Sequence, residues 1–414
     1  MNHLKTCKKD AKIVPILLLG SGQNMLGKDE KEQDSKADRL LQRYGLSSES
    51  RLLVRSKKDL LSMNIHNVDG FVIFACCSKR FSPLIYLAET GQPVVIAAVD
   101  DTYSNALETY QYLADHPNVQ LSLTLAEVKA EIKAIKPAKL FERIRICLFD
   151  AGEWRLDGAA WLRNPLIQGK LNTVTIGKKR LVEAYQRADR SKAKRLANQW
   201  MKDAEVREPS LEDVVSSARL YLAMKSIVRE EKADVAYVLW CGQFTKDLGT
   251  KMCFALAKLA DDGIPIGCWR GENLLPLLML SSVSKKPIFV AEVFTQKGNV
   301  ITIRHCFAPT RLADGKPILR NWRDMKGTVT AYCHLPRGKV TLVSCGIGDR
   351  MIVTRGRVTD CRDLGGDNCR MTVWIKIQDQ EVIRRFVARE FAMVYGDYTK
   401  EVKEMAGGFG IKVL

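Results

Sequence analysis

Short apolar runs of strand length alternate with helical patterns in the first third of the chain. The runs lie at Ile13–Leu19, Arg51–Val54, Gly70–Cys76 and Pro93–Val99, and helical patterns such as Leu84–Glu89 and Asn105–Ala114 lie between or after them. This alternation is typical of a parallel sheet whose strands are joined by helices. It predicts an N-terminal α/β domain over residues 1–142.

The same alternation restarts at Arg143–Asp150 and predicts a second α/β domain over residues 143–298. A long amphipathic helix is expected from Gly177 to Glu205, and Ser210 with Asp213 has the form of a capping box. Further strands are expected at Val235–Trp240, Ile264–Gly267 and Pro287–Ala291. Because right-handed crossovers keep such strands parallel, their carboxyl ends share one edge, where open α/β sheets bind ligands.

After Val300 the strand patterns follow one another without long helices between them. They lie at Val300–His305, Thr328–Tyr332, Val340–Ser344, Met351–Val358, Met371–Gln378 and Phe391–Tyr395. This succession predicts an antiparallel, β-barrel-like domain over residues 299–414. A helix over Val402–Met405, with Asp397 as its N-cap, precedes a last strand at Gly410–Leu414 that is expected to return to an α/β unit. The predicted fold class is α/β, with two Rossmann-like or flavodoxin-like parallel-sheet domains before the barrel.

No apolar run reaches the roughly 18 residues that a membrane-spanning helix needs. The lysines before Ile13–Leu19 give the N-terminus some likeness to a signal peptide. However, that apolar run is short, contains Pro15 and leads into Gly20-Ser21-Gly22 rather than a cleavage site, so we interpret it as the first strand. The 12 cysteines include no C-x-x-C spacing. Such cysteines are expected to be reduced thiols in a cytoplasmic protein.

The formal net charge of +18 allows two interpretations. A basic surface attracts nucleic acid, but the basic residues are spread along the chain and accompany no helix-turn-helix, zinc-finger or RNP-like motif. The densest cluster, from Lys178 to Arg195, lies on the predicted amphipathic helix, where a solvated basic face accounts for it. The sequence therefore does not indicate nucleic-acid binding, whereas an anionic small substrate remains open.

Three side chains that can bind metal ions follow apolar runs: Glu272, Glu292 and His305. Two carboxylates and a histidine from different strands suit Mn²⁺ or Mg²⁺ better than structural zinc. A cation held in this way can bind two adjacent sugar oxygens while a carboxylate moves a proton between neighbouring carbons, which is aldose–ketose isomerisation through an enediol. The alternative is that these residues are helix caps, salt-bridge partners and a structural histidine.

Three segments carry a resemblance to a known family. They read G-E-N-L-L-P-L-L-M-L-S-S-V-S-K-K-P-I-F-V-A-E-V (Gly271–Val293), R-H-C-F-A-P-T-R-L (Arg304–Leu312) and E-F-A-M-V-Y-G-D-Y (Glu390–Tyr398). Together with N-T-V-T-I-G at Asn172–Gly177, they resemble the L-fucose/L-arabinose isomerase superfamily, in particular its fucose isomerase-like members. The resemblance implies two α/β domains, a C-terminal β-rich domain, bound Mn²⁺, and homo-oligomers, trimers or hexamers, with sites between subunits.

Carried over by motif, the resemblance implies four metal ligands: Glu272, Glu292, His305 and Glu390. Glu390 stands where family members have a histidine, and the loop around Glu272 departs from the usual spacing. Glu272 and Glu292 would also form the acid/base pair that moves a proton between C1 and C2 of the sugar.

Substrate contacts are expected from neighbouring side chains. Trp269 is either a stacking wall for the sugar or a loop anchor. Arg270, Arg304 and Arg311 either neutralise the carboxylates or contact an anionic group on the sugar. Gln243 and Lys246 follow a strand at the same edge and could reach hydroxyls.

Three functions therefore remain open. One is a metal-dependent aldose–ketose isomerase of the fucose/arabinose type. Another is a non-catalytic sugar-binding or regulatory relative that has lost the metal, which the glutamate at position 390 would explain. The third, nucleic-acid binding, rests only on the net charge.

Overall fold

The computed structural model describes the chain from residue 12 to residue 414, apart from residues 20–28, 48, 55–56, 63–67, 77–82, 99–101, 117, 130, 133–140, 142–143, 153–170, 270, 272, 346–349, 367, 379–380, 382–388 and 410. The chain forms two compact units, Cys7–Leu140 and Phe141–Leu414, which we call the first and the second unit. None of the helices in the described ranges is long and apolar enough to cross a membrane.

The first unit is built on a parallel sheet. Its strands are β1 (Ile13–Leu18), β2 (Leu52–Val54), β3 (Gly70–Phe74), β4 (Val94–Ala97) and β5 (Val119–Ser122). They are hydrogen-bonded in the order β2-β1-β3-β4-β5, and every pair is parallel. This is one of the common orders of doubly wound sheets. The sequence pattern predicted the first four strands, but it missed β5, whose alternation spans only four residues.

Helices cover both faces of this sheet. They are α1 (Glu30–Tyr44), α2 (Lys57–Leu61), α3 (Pro83–Glu89) and α4 (Tyr103–Leu113). Alternate side chains of a strand point to opposite faces. Accordingly, Ile16 of β1 packs in a core with residues of α2, α3 and α4, whereas Leu17 packs in a second core with residues of α1. The apolar runs are therefore continuous because both faces of the sheet are buried.

The second unit contains the remaining elements. Its strands are β6 (Arg145–Asp150), β7 (Asn172–Gly177), β8 (Glu205–Val206), β9 (Val235–Leu239), β10 (Ile266–Trp269), β11 (Phe289–Lys297), β12 (Val300–His305), β13 (Ile318–Arg320), β14 (Thr330–Tyr332), β15 (Gly338–Cys345), β16 (Arg350–Arg362), β17 (Met371–Ile377), β18 (Glu390–Tyr395) and β19 (Lys412–Val413). Its helices are α5 (Lys178–Arg187), α6 (Arg190–Lys202), α7 (Leu211–Glu230), α8 (Thr245–Leu248), α9 (Cys253–Asp261), α10 (Leu274–Ser284) and α11 (Thr399–Gly408).

A parallel sheet in the order β10-β9-β6-β7 forms the α/β part of this unit. If these four strands are numbered 1 to 4 along the chain and the sheet is read from β7, the order is 2-1-3-4. The first sheet begins with the same order. The capping box is confirmed, since Ser210 accepts from the Asp213 amide and the Asp213 carboxylate accepts from the Ser210 amide. The prediction of one helix from Gly177 to Glu205 is wrong. Two helices form because Ala188 has an extended backbone and Asp189 caps α6 through the Lys192 amide.

The barrel follows. Strands β15, β18, β11, β12, β17 and β16 are hydrogen-bonded in that order, and pairing of β15 with β16 closes the ring. Directly paired residues such as Ile303 and Val373 are fully buried. A Cβ on Gly356 would lie 2.6 Å from Ile375 Cγ2, so the packed side chains leave room only for glycine there. The predicted fold class, α/β with two parallel sheets and a C-terminal antiparallel barrel, is confirmed.

Several strands have other partners than the sequence suggested. The run at Pro287–Ala291 was expected to be a parallel strand of the second sheet. Instead it forms part of β11, which pairs antiparallel with β12 and β18. The strand predicted at Thr328–Tyr332 is β14 of a small sheet in the order β14-β13-β8. The last strand, β19, joins β16 at the barrel rather than an α/β sheet. Hydrophobic periodicity shows which side chains are buried, but it does not identify the neighbouring strand.

The final helix also differs in detail from its prediction. It begins at Thr399, and Tyr398 rather than Asp397 occupies the N-cap position. The Asp397 carboxylate still accepts a hydrogen bond from the Thr399 amide at 3.2 Å.

Candidate functional site

A chain of buried polar contacts joins the α/β sheet of the second unit to one end of the barrel. The Tyr237 hydroxyl at β9 accepts from the Gly271 amide (3.0 Å) and donates to Asn273 Oδ1 (2.7 Å). Asn273, the N-cap of α10, donates from Nδ2 to Glu390 Oε2 at 2.9 Å. The residues Tyr237, Asn273 and Glu390 are each at most 1% exposed. This chain fixes the Glu390 carboxylate at the start of β18, in a place shielded from water.

Gly267 in β10 makes room for this chain. A Cβ at position 267 would lie 2.1 Å from Cε2 of the Tyr237 ring. That distance is far inside van der Waals contact, so the ring can cross the neighbouring strand only over a glycine. The position of the Tyr237 hydroxyl, and through it that of Asn273, therefore depends on Gly267.

Glu292 lies at the centre of a row of charged side chains on the barrel. It is the direct cross-strand partner of Glu390 on β18 and of Arg304 on β12. Its Oε1 accepts from Arg304 Nε at 2.9 Å, and its Oε2 lies 3.0 Å from Arg389 Nη2. Each carboxylate oxygen therefore has its own guanidinium partner. The side chain is only 15% exposed, so these contacts are partly shielded from solvent.

Arg304 and Arg389 differ in their surroundings. The Arg304 guanidinium also lies over the Phe294 ring, 3.9 Å from its centroid, and the side chain is 20% exposed. The Arg389 side chain is 50% exposed. Of the two roles considered for Arg304, the geometry supports neutralisation of Glu292. Arg389 was missed by the sequence reasoning, although its position directly before Glu390 at the start of a strand was a usable signal.

His305 ends β12, next to Arg304. It pairs with Met371 on β17, its ring meets the Phe307 ring edge to face at 4.8 Å, and its Nδ1 accepts from the Phe307 amide at 3.4 Å. Burial lowers the pKa of His305 to about 4, although the charge of Glu292 acts in the opposite direction. The imidazole is therefore neutral near pH 7, with Nε2 carrying the hydrogen.

The described members of the expected metal-ligand set are Glu292, His305 and Glu390. The described ranges contain no group of three or more His, Cys, Asp or Glu side chains that could hold a metal ion. Both oxygens of Glu292 are in contact with guanidinium groups, and Glu390 accepts from an amide. A cation would have to displace at least one of these donors from Glu292. By themselves, these three side chains do not fit a divalent ion.

The remaining predicted site residues lie in different places, some of them outside the described residues. Glu272 and Arg270 lie outside the described residues, and the same holds for the side chain of Trp269, whose backbone ends β10. Gln243 lies in a 3₁₀ turn directly after β9, and its buried Oε1 has no hydrogen-bond partner in the described part of the chain. An unpaired buried amide oxygen at a sheet edge is a free acceptor for a ligand hydroxyl. Arg311 is exposed, and its amide donates to Asp261.

Five thiols come together beside these residues. We call Cys241, Cys253, Cys268, Cys306 and Cys369 the thiol cluster. The Sγ atoms of Cys306 and Cys369 are 3.3 Å apart. A hydrogen bond to Cys241 raises the pKa of Cys268, and one to Cys253 raises the pKa of Cys306. No sequence motif indicated the cluster, because its members come from separate segments without metal-type spacing.

None of the protein-family models and none of the curated proteins that were compared with the chain matches it. The family resemblance therefore rests on the motifs quoted above.

Proposed function

We propose that the chain is an aldose–ketose isomerase of the fucose/arabinose type, acting where the barrel end meets the edge of the second sheet. The observation that carries the proposal is the direct pairing of Glu292 with Glu390 across β11 and β18. Isomerisation through an enediol needs an acid/base group that moves a proton between adjacent carbons. Two neighbouring carboxylates, one fully and one partly shielded from water, are suited to that task.

The fold supports the same proposal. Two parallel sheets precede an antiparallel barrel, as the resemblance implies. Both sheets have strands in the flavodoxin-like order 2-1-3-4, extended in the first sheet by β5. The site lies at the carboxyl ends of β9 and β10, which is where open α/β sheets bind ligands. A trimer or hexamer, the assembly implied by the resemblance, is part of the proposal.

The described side chains would have the following roles in the proposed reaction. Asn273 holds the Glu390 carboxylate in one orientation. Arg304 and Arg389 do the same for Glu292. Because the Arg389 side chain is half exposed, its guanidinium can move to a sugar hydroxyl or to an anionic group on the sugar. The neutral His305 can donate from Nε2 to a sugar oxygen, and the free Oε1 of Gln243 can accept from a further hydroxyl.

Mn²⁺, or another divalent ion such as Mg²⁺, enters the proposal as the cofactor of the family that the sequence resembles. Glu292, His305 and Glu390 do not fit such an ion by themselves, and Glu272, the fourth proposed ligand, lies outside the described residues. We therefore assign the proton transfer to the carboxylates and draw no step through a cation.

The experiment measures interconversion of aldoses and ketoses by the full-length protein, purified without chelator and with its metal content determined. A panel of pentoses, hexoses and 6-deoxyhexoses is tested with added Mn²⁺ and with EDTA. The proposal expects turnover that falls at least about 100-fold in Glu292→Gln and in Glu390→Gln. The matched control is Glu212→Gln, since Glu212 forms an exposed ion pair with Arg190 far from the site in sequence.

The second candidate function is a non-catalytic sugar-binding relative. It is favoured by one observation, the occupation of both Glu292 oxygens by guanidinium groups. Calorimetry with the same sugars separates the two functions. Binding without turnover at any metal content would contradict the isomerase and support the binding protein. Light scattering of the same sample tests the proposed trimer or hexamer.

A further inference from the structure

Two members of the thiol cluster lie in contact at the barrel end. Cys306 follows the last residue of β12, and Cys369 lies shortly before the first residue of β17. These strands pair up to His305 and Met371, so the two cysteines sit just beyond the last paired position. Their Sγ atoms are 3.3 Å apart. A disulfide requires about 2.05 Å between the sulfurs, so a shift of about 1 Å would bring them to bonding distance.

An aromatic ring lies against Cys306, and two cations lie against that ring. Trp322 Nε1 donates to Cys306 Sγ at 3.0 Å. Lys251 Nζ lies 4.0 Å from the centroid of the Trp322 ring, and Arg323 Cζ lies 4.8 Å from it. Cys306 therefore has a polar contact in addition to its apolar packing.

The turn that carries Trp322 is held in an unfavourable conformation. Arg323 and Asp324 have positive φ angles of 47° and 56°, which are rare for residues other than glycine. The fully buried Arg370 fixes the turn. Its Nε and Nη2 each donate to the Asn321 carbonyl at 3.0 Å, and Nη2 also contacts the Asp324 carboxylate. Strained backbone persists where the surrounding structure enforces it, and it is concentrated at functional sites.

We propose that Cys306 and Cys369 form a redox modification site, a dithiol that hydrogen peroxide or a small organic peroxide oxidises to a disulfide. Cys306 is half-buried and reacts first. Its sulfur attacks the peroxide, the O–O bond breaks, and a sulfenic acid and water (an alcohol from an organic peroxide) form. The sulfur of Cys369, which is 5% exposed, then displaces hydroxide from the sulfenic sulfur. The S–S bond forms, the released proton and hydroxide give water, and the two thiols have lost two electrons to the peroxide.

The disulfide would act on the candidate site through the chain. Cys306 directly follows His305, and Arg304 precedes both. A covalent link between the end of β12 and the start of β17 would fix the strand end that carries these residues. It would also remove the acceptor thiol for Trp322. This inference does not depend on the isomerase proposal, since it concerns the state of two sulfurs and not turnover.

The test uses the full-length folded protein. It is treated with hydrogen peroxide, blocked with N-ethylmaleimide, digested without reductant and analysed by mass spectrometry. The expected product is a cross-linked peptide pair containing Cys306 and Cys369, lighter than the two peptides by two hydrogens. Cys369→Ser should instead accumulate a sulfenic acid at Cys306 that dimedone traps. Cys333→Ser, which removes a buried thiol outside the cluster, should leave the cross-link unchanged.

Other products would overturn the proposal. Cross-links of Cys306 to Cys253, or of Cys241 to Cys268, in place of the expected pair would show that the cluster reacts elsewhere. Recovery of both Cys306 and Cys369 as maleimide adducts, while circular dichroism shows the protein still folded, would show that the pair does not oxidise. Since the wild-type cross-link is the primary readout, a variant that fails to fold does not affect the conclusion.

Discussion

Glu292 and Glu390 are direct partners across antiparallel strands, and their carboxylates are held by different donors. Glu292 has guanidinium groups of Arg304 and Arg389 at 2.9 and 3.0 Å. Glu390 accepts from the Asn273 amide at 2.9 Å. Like charges at directly opposed positions repel each other, so the two carboxylates depend on these donors. Removing one of these donors should therefore alter the electrostatic environment of both glutamates.

The first prediction concerns the charge of Glu292. Glu292→Gln should lower the free energy of unfolding by about 1–2 kcal/mol, because it leaves the mostly buried Arg304 guanidinium without its counter-charge. Urea unfolding followed by circular dichroism measures the change. Glu212→Gln is the control, since its ion pair with Arg190 has side chains 63% and 69% exposed. That control should change stability by about 0.5 kcal/mol or less. Equal effects in the two variants would contradict the role assigned to Arg304.

The second prediction concerns Gly267. Gly267→Ala should destabilise the second unit by about 3 kcal/mol or prevent its folding, because the new Cβ would lie 2.1 Å from the Tyr237 ring. Thermal and urea unfolding measure the loss. Gly242→Ala is the matched control, since no atom lies within 4 Å of the Cβ added there. A Gly267→Ala protein as stable as Gly242→Ala would show that the Tyr237 ring does not occupy this position.

The third prediction concerns the hydroxyl of Tyr237. Tyr237→Phe keeps the ring but removes the acceptor for the Gly271 amide and the donor to Asn273. Since both lost partners are buried, the variant should be less stable by about 1–3 kcal/mol. A double-mutant cycle with Asn273→Ala should give less than the sum of the two single losses, because both remove the same hydrogen bond. Strict additivity would argue against a connected chain.

The fourth prediction concerns the pH dependence of stability. In the folded chain burial lowers the pKa of His305 to about 4, whereas an unfolded histidine titrates near pH 6.5. As the pH falls from about 6.5 towards 4, the unfolded state takes up a proton that the folded state does not. His305 therefore contributes stability above this window and loses it within the window, by at most about 1.4 kcal/mol per pH unit.

His305→Asn should make the stability of the protein less dependent on pH between about 6.5 and 4. Urea midpoints measured at several pH values in this range provide the comparison. His334→Asn, at an exposed position of the same unit, serves as the control and should keep the wild-type slope. An unchanged slope in His305→Asn would contradict the depressed pKa.

The fifth prediction concerns Arg370. Arg370→Leu should cost about 3–5 kcal/mol, because the Asn321 carbonyl and the carboxylates of Asp324 and Asp363 lose a fully buried guanidinium partner. Arg370→Lys keeps the charge but not the planar fork. If the Arg370→Lys variant folds, the strained turn should be held less firmly. Cys306 should then react faster with N-ethylmaleimide than in the wild-type protein. An unchanged rate in folded Arg370→Lys would show that Arg370 does not control the cover of the thiols.

Much of the architecture could be read from the sequence. Apolar runs that alternate with helical patterns predicted a parallel sheet in the first unit, and this is confirmed, since β1 pairs in parallel with β2 and β3. The capping box at Ser210 was readable because it depends on residues three apart in the chain. The break at Asp189 was not recognised, although an N-cap signal was present there. Sequence rules were reliable where the interacting groups lie within a few residues of each other in the chain.

The amino-acid sequence by itself determined which side chains are buried, where most strands and helices form, and that charged residues follow several strands. Only the tertiary structure decided which strands became neighbours. It moved β11 from the parallel sheet to the barrel, and thereby placed Glu292 opposite Glu390 and against Arg304. It also brought Cys306 to Cys369, 63 residues away. Periodicity records the buried face of an element, whereas pairing across the barrel depends on the combined packing of all strands, which no local pattern contains.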